Sequence, residues 1–302
     1  MVLAITLDEL TSSLVIGLIT GAAYSLVALG LVLIYKSSGV FNFAQGEFGT
    51  VAAYGAYIGT ELLDVPYGLA IVIGLGMALA MGLLTERLII RPLFDAPRVT
   101  LLVATAAIAL LSIGIQFWRT NANPVKVLPP ISQESERVEI FGVLISDQRL
   151  ITLVVLAAVA VALAAFFRSP LGLAVLASSQ EPVASELVGV SVRRISALTW
   201  GLAALLGGIA GILLAPNQPF TPGFQTSAAG ALIPGFTAAV VGGITSLPGA
   251  AIAGLMIGML QALGSLSTFS DIPGASSVTV FVLLLIILLV RPQGLFLRKA
   301  RT

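Results

Sequence analysis

GVFNFAQGEFGT, residues 39–50, sets three polar side chains, Asn42, Gln45 and Glu47, between two long apolar runs. Gly39, Gly46 and Gly49 accompany them. A charged group inside a bilayer costs about 2.5 kcal/mol or more unless it is paired or wet, so these groups are expected to face protein or water. The glycines let the backbone bend and pack closely at this place. Two readings fit the residues equally: a break or helix start bordering a translocation path, and a helix cap in a close-packed turn at the inner surface.

The runs on either side decide the class. The chain has 302 residues, 58% of them hydrophobic and 10% charged, with a mean hydropathy of +1.07. A soluble domain carries about 25% charged residues, so a soluble fold is excluded. Several apolar runs reach the roughly 20 residues needed to cross a bilayer core. With no cysteine and no histidine, disulfides, thiolate or imidazole metal sites and Ser-His-Asp chemistry are also excluded. The opening MVLAITLDEL has no basic residue and carries Asp8 and Glu9. A cleavable signal peptide wants a basic start, and the first run is expected to be a mature span.

Nine spans are expected, at 12–35, 43–63, 66–85, 99–118, 150–167, 195–215, 228–243, 249–264 and 276–291. The fold class is therefore an all-α polytopic membrane protein of about nine spans, roughly eight to ten. The last spans are short and broken by Gly and Pro, as in tilted or discontinuous helices. The one long polar stretch, 119–149, lies between the fourth and fifth spans. Basic residues set the orientation. With the N-terminus outside, the inside segments hold Lys36, Arg87, Arg91, Arg98, Arg168, Arg193, Arg194, Arg291, Arg298, Lys299 and Arg301, eleven of the fifteen basic residues. The other four, Arg119, Lys126, Arg137 and Arg149, lie in 119–149 among Glu134, Glu136, Glu139 and Asp147. The expected orientation is N-out, C-in.

A shift of 182 residues brings the first four spans onto the last four, matching Pro66 to Pro248, Gly76 to Gly258 and Met77 to Met259. Four spans, one linking span and four more give the second half the opposite orientation. Two inverted repeats of this kind, about 12–118 and 195–291 joined by the loop and span 119–167, mark transporters with a substrate path at the repeat interface. The same shift places FQTSAAGA (224–231) at the equivalent of the opening turn. Gly-x-x-x-Gly pairs at Gly17/Gly21, Gly55/Gly59, Gly207/Gly211 and Gly254/Gly258 are read as close-packing surfaces. Gln116 and Gln261, lone amides within spans, are read as interhelical hydrogen-bonding groups.

The inside loop RSPLGLAVLASSQEPVASELVGVSVRR (168–194) has the punctuation of a short helix over 181–188. Pro182 suits a first helical position, Glu181 and Glu186 lie near its start, and Gly189 can take a left-handed cap. Its outward positions would mix Glu181, Ser185 and Glu186 with Val183, Leu187 and Val188. Docking of a partner protein and a connector on the lipid surface both fit.

This loop and the span after it, EPVASELVGVSVRRISALTWGLAALLGGIAGILLAP (181–216), resemble the coupling loop of ABC-importer permeases of the branched-chain (hydrophobic) amino acid family. The stretch NFAQGE resembles the family's Asn-Phe-Ala-His-Gly-Glu motif, after a first span with Gly21, Tyr24, Ser25 and Leu26. FTAAVVGGITSLPGAAIAGLMIG (236–258) and VRPQGLF (290–296) are similar to its second-half signatures. Gln45 stands where many members have histidine, which removes any titratable role at that position. The shorter of the family's two permease types is the closer match.

The resemblance implies one permease domain spanning 1–302 in a bacterial or archaeal cytoplasmic membrane. It implies import of branched-chain or other hydrophobic amino acids handed over by an extracytoplasmic solute-binding protein. A second, homologous permease chain would complete the path, and two ATPase subunits would carry ATP and Mg. No cofactor is expected on this chain, which is no enzyme and lacks a Gly-x-x-x-x-Gly-Lys-Ser/Thr phosphate loop; no nucleic acid is expected as partner. Residues 181–188, with Glu181, Pro182, Ser185, Glu186, Leu187, Gly189 and the following Arg193, would form the coupling helix. Asn42, Gln45 and Glu47 would line the path or its gate. Urea or short amides are alternative solutes within the family, and an ion-coupled secondary transporter is the competing class.

Overall fold

The computed structural model describes residues 7–94, 96–120, 128, 137–140, 143–217, 221–227, 230–266 and 274–290. Each expected apolar run forms a helix. In chain order these are α1 (Leu7–Ser38), α2 (Gln45–Glu61), α3 (Tyr67–Thr85), α4 (Arg98–Thr120), α5 (Asp147–Arg168), α8 (Val192–Leu214), α9 (Leu232–Val241), α10 (Leu247–Leu263) and α11 (Ala275–Val290). The loop between α5 and α8 adds α6 (Pro170–Gln180) and α7 (Pro182–Leu187). Among the described residues, five helical stretches are long and apolar enough to cross a membrane: 9–38, 67–93, 98–119, 147–168 and 192–214. A helix the length of α9 rises only about 15 Å, half of a hydrocarbon core of about 30 Å. Glycine explains its shortness, because Gly242 ends α9 and Gly243 follows at φ +87°.

Two features depart from the sequence reading. The third span runs on to Leu93 through a π-helical turn at Glu86–Ile90. Buried Glu86 is held there by a two-pronged pair with Arg91, at 3.2 Å from Nε and 2.8 Å from Nη2. The polar stretch between α4 and α5 also contains a small antiparallel hairpin, β1 (Arg137–Ile140) and β2 (Val143–Ser146), with Arg137 opposite Ser146. The fold class stays all-α, with this hairpin as an addition in the polar stretch.

α1 and α8 form the centre. α1 packs against α10, α9 and α8, and α8 packs against α2 and α3. Glycines bring these helices together. A Cβ on Gly17 would stand 2.7 Å from Gly258 O, and one on Gly21 would stand 2.7 Å from Gly254 O. Gly55 lies against Gly74 and Gly59 against Ala70, seating α2 on α3, while Gly207 and Gly211 seat α8 on Gly49 of α2. All four Gly-x-x-x-Gly pairs are therefore packing surfaces. Between α1 and α10, Ser25 Oγ adds a hydrogen bond to Ala251 O at 2.7 Å. α3 with its π-helical extension, α4 and α5 instead turn Val72, Leu88, Leu110 and Val161 outward. Such an apolar exterior is costly in water and ordinary in lipid.

Candidate gate and docking helix

The chain leaves α1 at Ser38, turns at Gly39 (φ +68°), and folds back into the bundle before α2 begins. Asn42 Oδ1 accepts from Ala44 N at 3.0 Å and orders the turn. Asn42 Nδ2 reaches Gln45 Oε1 at 3.5 Å, and Gln45 Nε2 donates to Ala203 O at 2.9 Å. Ala203 lies well inside α8, about 16 Å along the axis from its start. A glycine at position 30 makes room for the Gln45 side chain. Gln45 therefore reaches deep into the bundle, while Gly39 stays at the turn after α1.

Glu47, one turn further on, does something different. Its carboxylate is 0% exposed and gathers three donors from two distant elements. Gln116 Nε2 donates to Oε2 at 2.6 Å and Ser112 Oγ at 3.2 Å, both from α4. Thr226 Oγ1 donates to Oε1 at 2.6 Å. Gln116 Oε1 in turn accepts from Gly223 N at 3.0 Å. Glu47 thus clasps α4 and the 221–227 segment to α2. Among the described residues it makes no salt bridge. Gly46 permits the approach, because a Cβ there would stand 2.7 Å from Thr226 Oγ1.

The neighbouring Gln225 continues the connection. Its N donates to Thr50 Oγ1 at 3.4 Å, and its side-chain oxygen accepts from Ala231 N at 3.1 Å. An apolar cleft of about 610 Å³ opens beside the cluster between α2, α3 and α4, with Ser112 and Gln116 on its wall. The structure thus sorts the three polar residues of the opening stretch: Asn42 and Gln45 order the turn and dock on α8, while Glu47 joins separate parts of the chain. Sequence reading missed Ser112 and named Thr226 only as part of a polar, small-residue stretch. It placed Gln116 correctly as an interhelical hydrogen-bonding group.

At one end of the bundle, Arg91 Nη2 donates to Arg193 O at 3.4 Å, which places the extension of α3 beside the start of α8. Gly39 lies beside Arg98 at the same end. The loop between α5 and α8 also lies here. Ser169 caps α6 by accepting from Gly172 N at 3.3 Å, with Pro170 in the first turn. α6 was missed in the sequence because its eleven residues lie outside the spans and carry no charge. α7 follows, starting at Pro182 and closed by Gly189 at φ +89°. Val190 N donates to Ser185 O at 2.9 Å and Gly189 N to Glu186 O at 3.0 Å, the paired bonds of a Schellman cap. Glu181, Glu186 and Arg193 are exposed, and so are Val183 at 74% and Leu187 at 84%. Ser185 corrects the expectation: it is 3% exposed and points inward, because a six-residue helix must turn one face to the body that carries it.

Helices of membrane-crossing length, an apolar exterior and a polar clasp at depth define a multi-pass membrane protein. The chain matches the family described as branched-chain amino acid transport system / permease component over residues 13–290, and it belongs to that family. It is 32% identical to the high-affinity branched-chain amino acid transport system permease protein BraD of Pseudomonas aeruginosa, over 93% of this chain and 94% of that one. LivH of Escherichia coli K12, with the same description, is 31% identical over 92% of both. The probable branched-chain amino acid transport permease LivH of Methanocaldococcus jannaschii is 28% identical over 79% of this chain and 76% of that one. The fold is similar to a chain of PsaBC from Streptococcus pneumoniae solved in complex with Fab, with a TM-score of 0.50, 15% identity and coverage of 92% and 91%.

Proposed function

We propose that this chain is the membrane permease subunit of an ATP-driven importer of branched-chain or other hydrophobic amino acids. An extracytoplasmic binding protein delivers the solute, a second, homologous permease chain completes the path, and two ATPase subunits drive it. α7 is the element on which the ATPase acts. The observation that carries this reading is the construction of α7. A helix this short is marginal by itself, yet it is tightly capped, seated on Ser185, and presents Val183 and Leu187 to the outside. Such a surface is built to be covered.

The Glu47 clasp is the gate in this reading. It is the buried carboxyl group that holds α4 and the 221–227 segment together, so opening the path past either element requires exchange of its hydrogen bonds. Asn42 and Gln45 hold the turn from which Glu47 projects.

The test is co-purification of the ATPase with the permease, alongside uptake by vesicles. Gly189→Val strains the left-handed cap by about 1 kcal/mol, and Glu186→Lys reverses the charge presented to the partner. Both variants are expected to insert normally and to lose ATPase association and several-fold in uptake. Full ATPase retention with wild-type uptake in both would make the loop a connector only.

A further inference from the structure

A second cavity, of about 220 Å³, lies between α1, α5, α8, α10 and the start of α9. It occupies the end of the bundle opposite α7, where α5 and α9 begin and α8 and α10 finish. It is smaller than the roughly 300–1,000 Å³ of drug-sized sites. Its lining combines apolar side chains, Ile16, Ile19 and Leu214, with polar ones, Arg149, Tyr24 and Gln261.

The polar lining is not self-sufficient. Arg149 makes no hydrogen bond or ion pair with any described residue. The amide oxygen of Gln261 is buried without a hydrogen-bond partner among the described residues, although its side chain lies within reach of the Tyr24 hydroxyl. Buried polar atoms are normally paired, and an orphan at a cavity wall marks a place for water or a ligand. Thr20 and Thr152 also line the cavity and donate their hydroxyl protons to Ile16 O and Gln148 O. Their oxygens are left as acceptors. One free cation, several acceptors and apolar side chains are complementary to a small zwitterion with an aliphatic tail.

We propose that this cavity is a transit site for an aliphatic amino acid, with its carboxylate on Arg149, its ammonium on the Gln261 amide oxygen and neighbouring hydroxyls, and its side chain against Ile16, Ile19 and Leu214. The proposal rests on the reading of the chain as an amino acid permease, and it selects a zwitterion over urea or a short amide, neither of which needs a guanidinium. It also links the site to the clasp. Ala231, on the cavity wall, donates its N–H to Gln225, and the same part of the chain supplies Gly223 and Thr226 to the Gln116–Glu47 cluster. Solute in the cavity therefore presses on the segment that Glu47 holds.

The native chain has no cysteine, so one introduced at Thr20 reports directly on occupancy. Thr20→Cys in lipid nanodiscs would be modified by a thiol reagent with and without L-leucine, L-leucinamide, 4-methylpentanoate, acetamide or urea. L-leucine is expected to slow modification. Leucinamide, lacking the carboxylate, and 4-methylpentanoate, lacking the ammonium, should need about tenfold higher concentration or more, the loss expected when a charge-assisted hydrogen bond is removed. Arg149→Gln should erase the preference for leucine over leucinamide, and Arg149→Lys should restore part of it. Should Thr20→Cys fail to insert, Ile16→Cys reports on the same cavity. Equal protection by acetamide or urea would overturn the proposal, as would no protection by leucine in either reporter. Leucine uptake by the wild-type complex, measured in parallel, separates the two readings. Uptake without protection discards this site and keeps the proposed function; no uptake of leucine or of any other branched-chain or hydrophobic amino acid discards the function itself.

Discussion

Glu47 shows how much a single side chain can carry when it has no counter-charge. A hydrogen bond contributes about 0.5–1.5 kcal/mol net, and this carboxyl group receives three. Glu47→Gln preserves shape and can keep some of them, so the variant is expected to assemble while uptake falls several-fold. Glu47→Leu leaves Gln116, Ser112 and Thr226 without their acceptor, at about 1–3 kcal/mol for each group that stays buried. That variant should lose thermal stability in detergent as well as uptake. Normal uptake by Glu47→Gln would return the residue to a packing role. Sequence alone could mark the position, because a carboxylate between two apolar runs demands an explanation. It could not name the partners: they lie 65, 69 and 179 residues away, and only tertiary packing brings them in.

Among the elements, legibility followed hydrophobicity. Nine apolar runs became nine helices, since a run without charge in lipid has no other way to satisfy its backbone. Where the chain leaves that regime the signal weakened. α6 and the β1–β2 hairpin went unseen, and the third span continued beyond its apolar run because Arg91 neutralises Glu86. Glycine spacing, by contrast, identified the contact surfaces correctly, although not which helix each would meet. A direct comparison tests this. Gly254 meets the backbone of Ser25, whereas a Cβ on Gly76 would have nothing within 4 Å. Gly254→Leu is expected to separate α1 from α10, at about 1–3 kcal/mol or more, and to reduce the folded fraction on size-exclusion chromatography. Gly76→Leu should elute as the wild type. Equal behaviour of the two would mean that close approach does not hold this pair.

At the scale of the whole molecule, the two halves exchange partners. A shift of 182 residues lays α1 over α8, α2 over α9, α3 over α10 and α4 over α11. α1 packs on α9 and α10 of the other half, and α8 packs on α2 and α3 of the first. We read this reciprocal packing as two repeats of opposite orientation, which is how a linking span between two four-span units would place them. The reading fixes where surface positions must lie. Leu63, between α2 and α3, and Gln180, at the end of α6, are both exposed. With the N-terminus outside, they fall on opposite faces of the membrane. An impermeant thiol reagent added to intact cells is expected to label Leu63→Cys and to spare Gln180→Cys, and the pattern should reverse in inside-out vesicles. The basic residues predict the same outcome independently, because Arg91 meets Arg193 and Gly39 meets Arg98 at the end that carries Gln180. Labelling of Gln180→Cys from outside would invert the chain and put α7 where no ATPase could reach it. Labelling of both positions from the same side would instead leave an odd number of the helices between them short of a crossing, and the repeat would have to be redrawn.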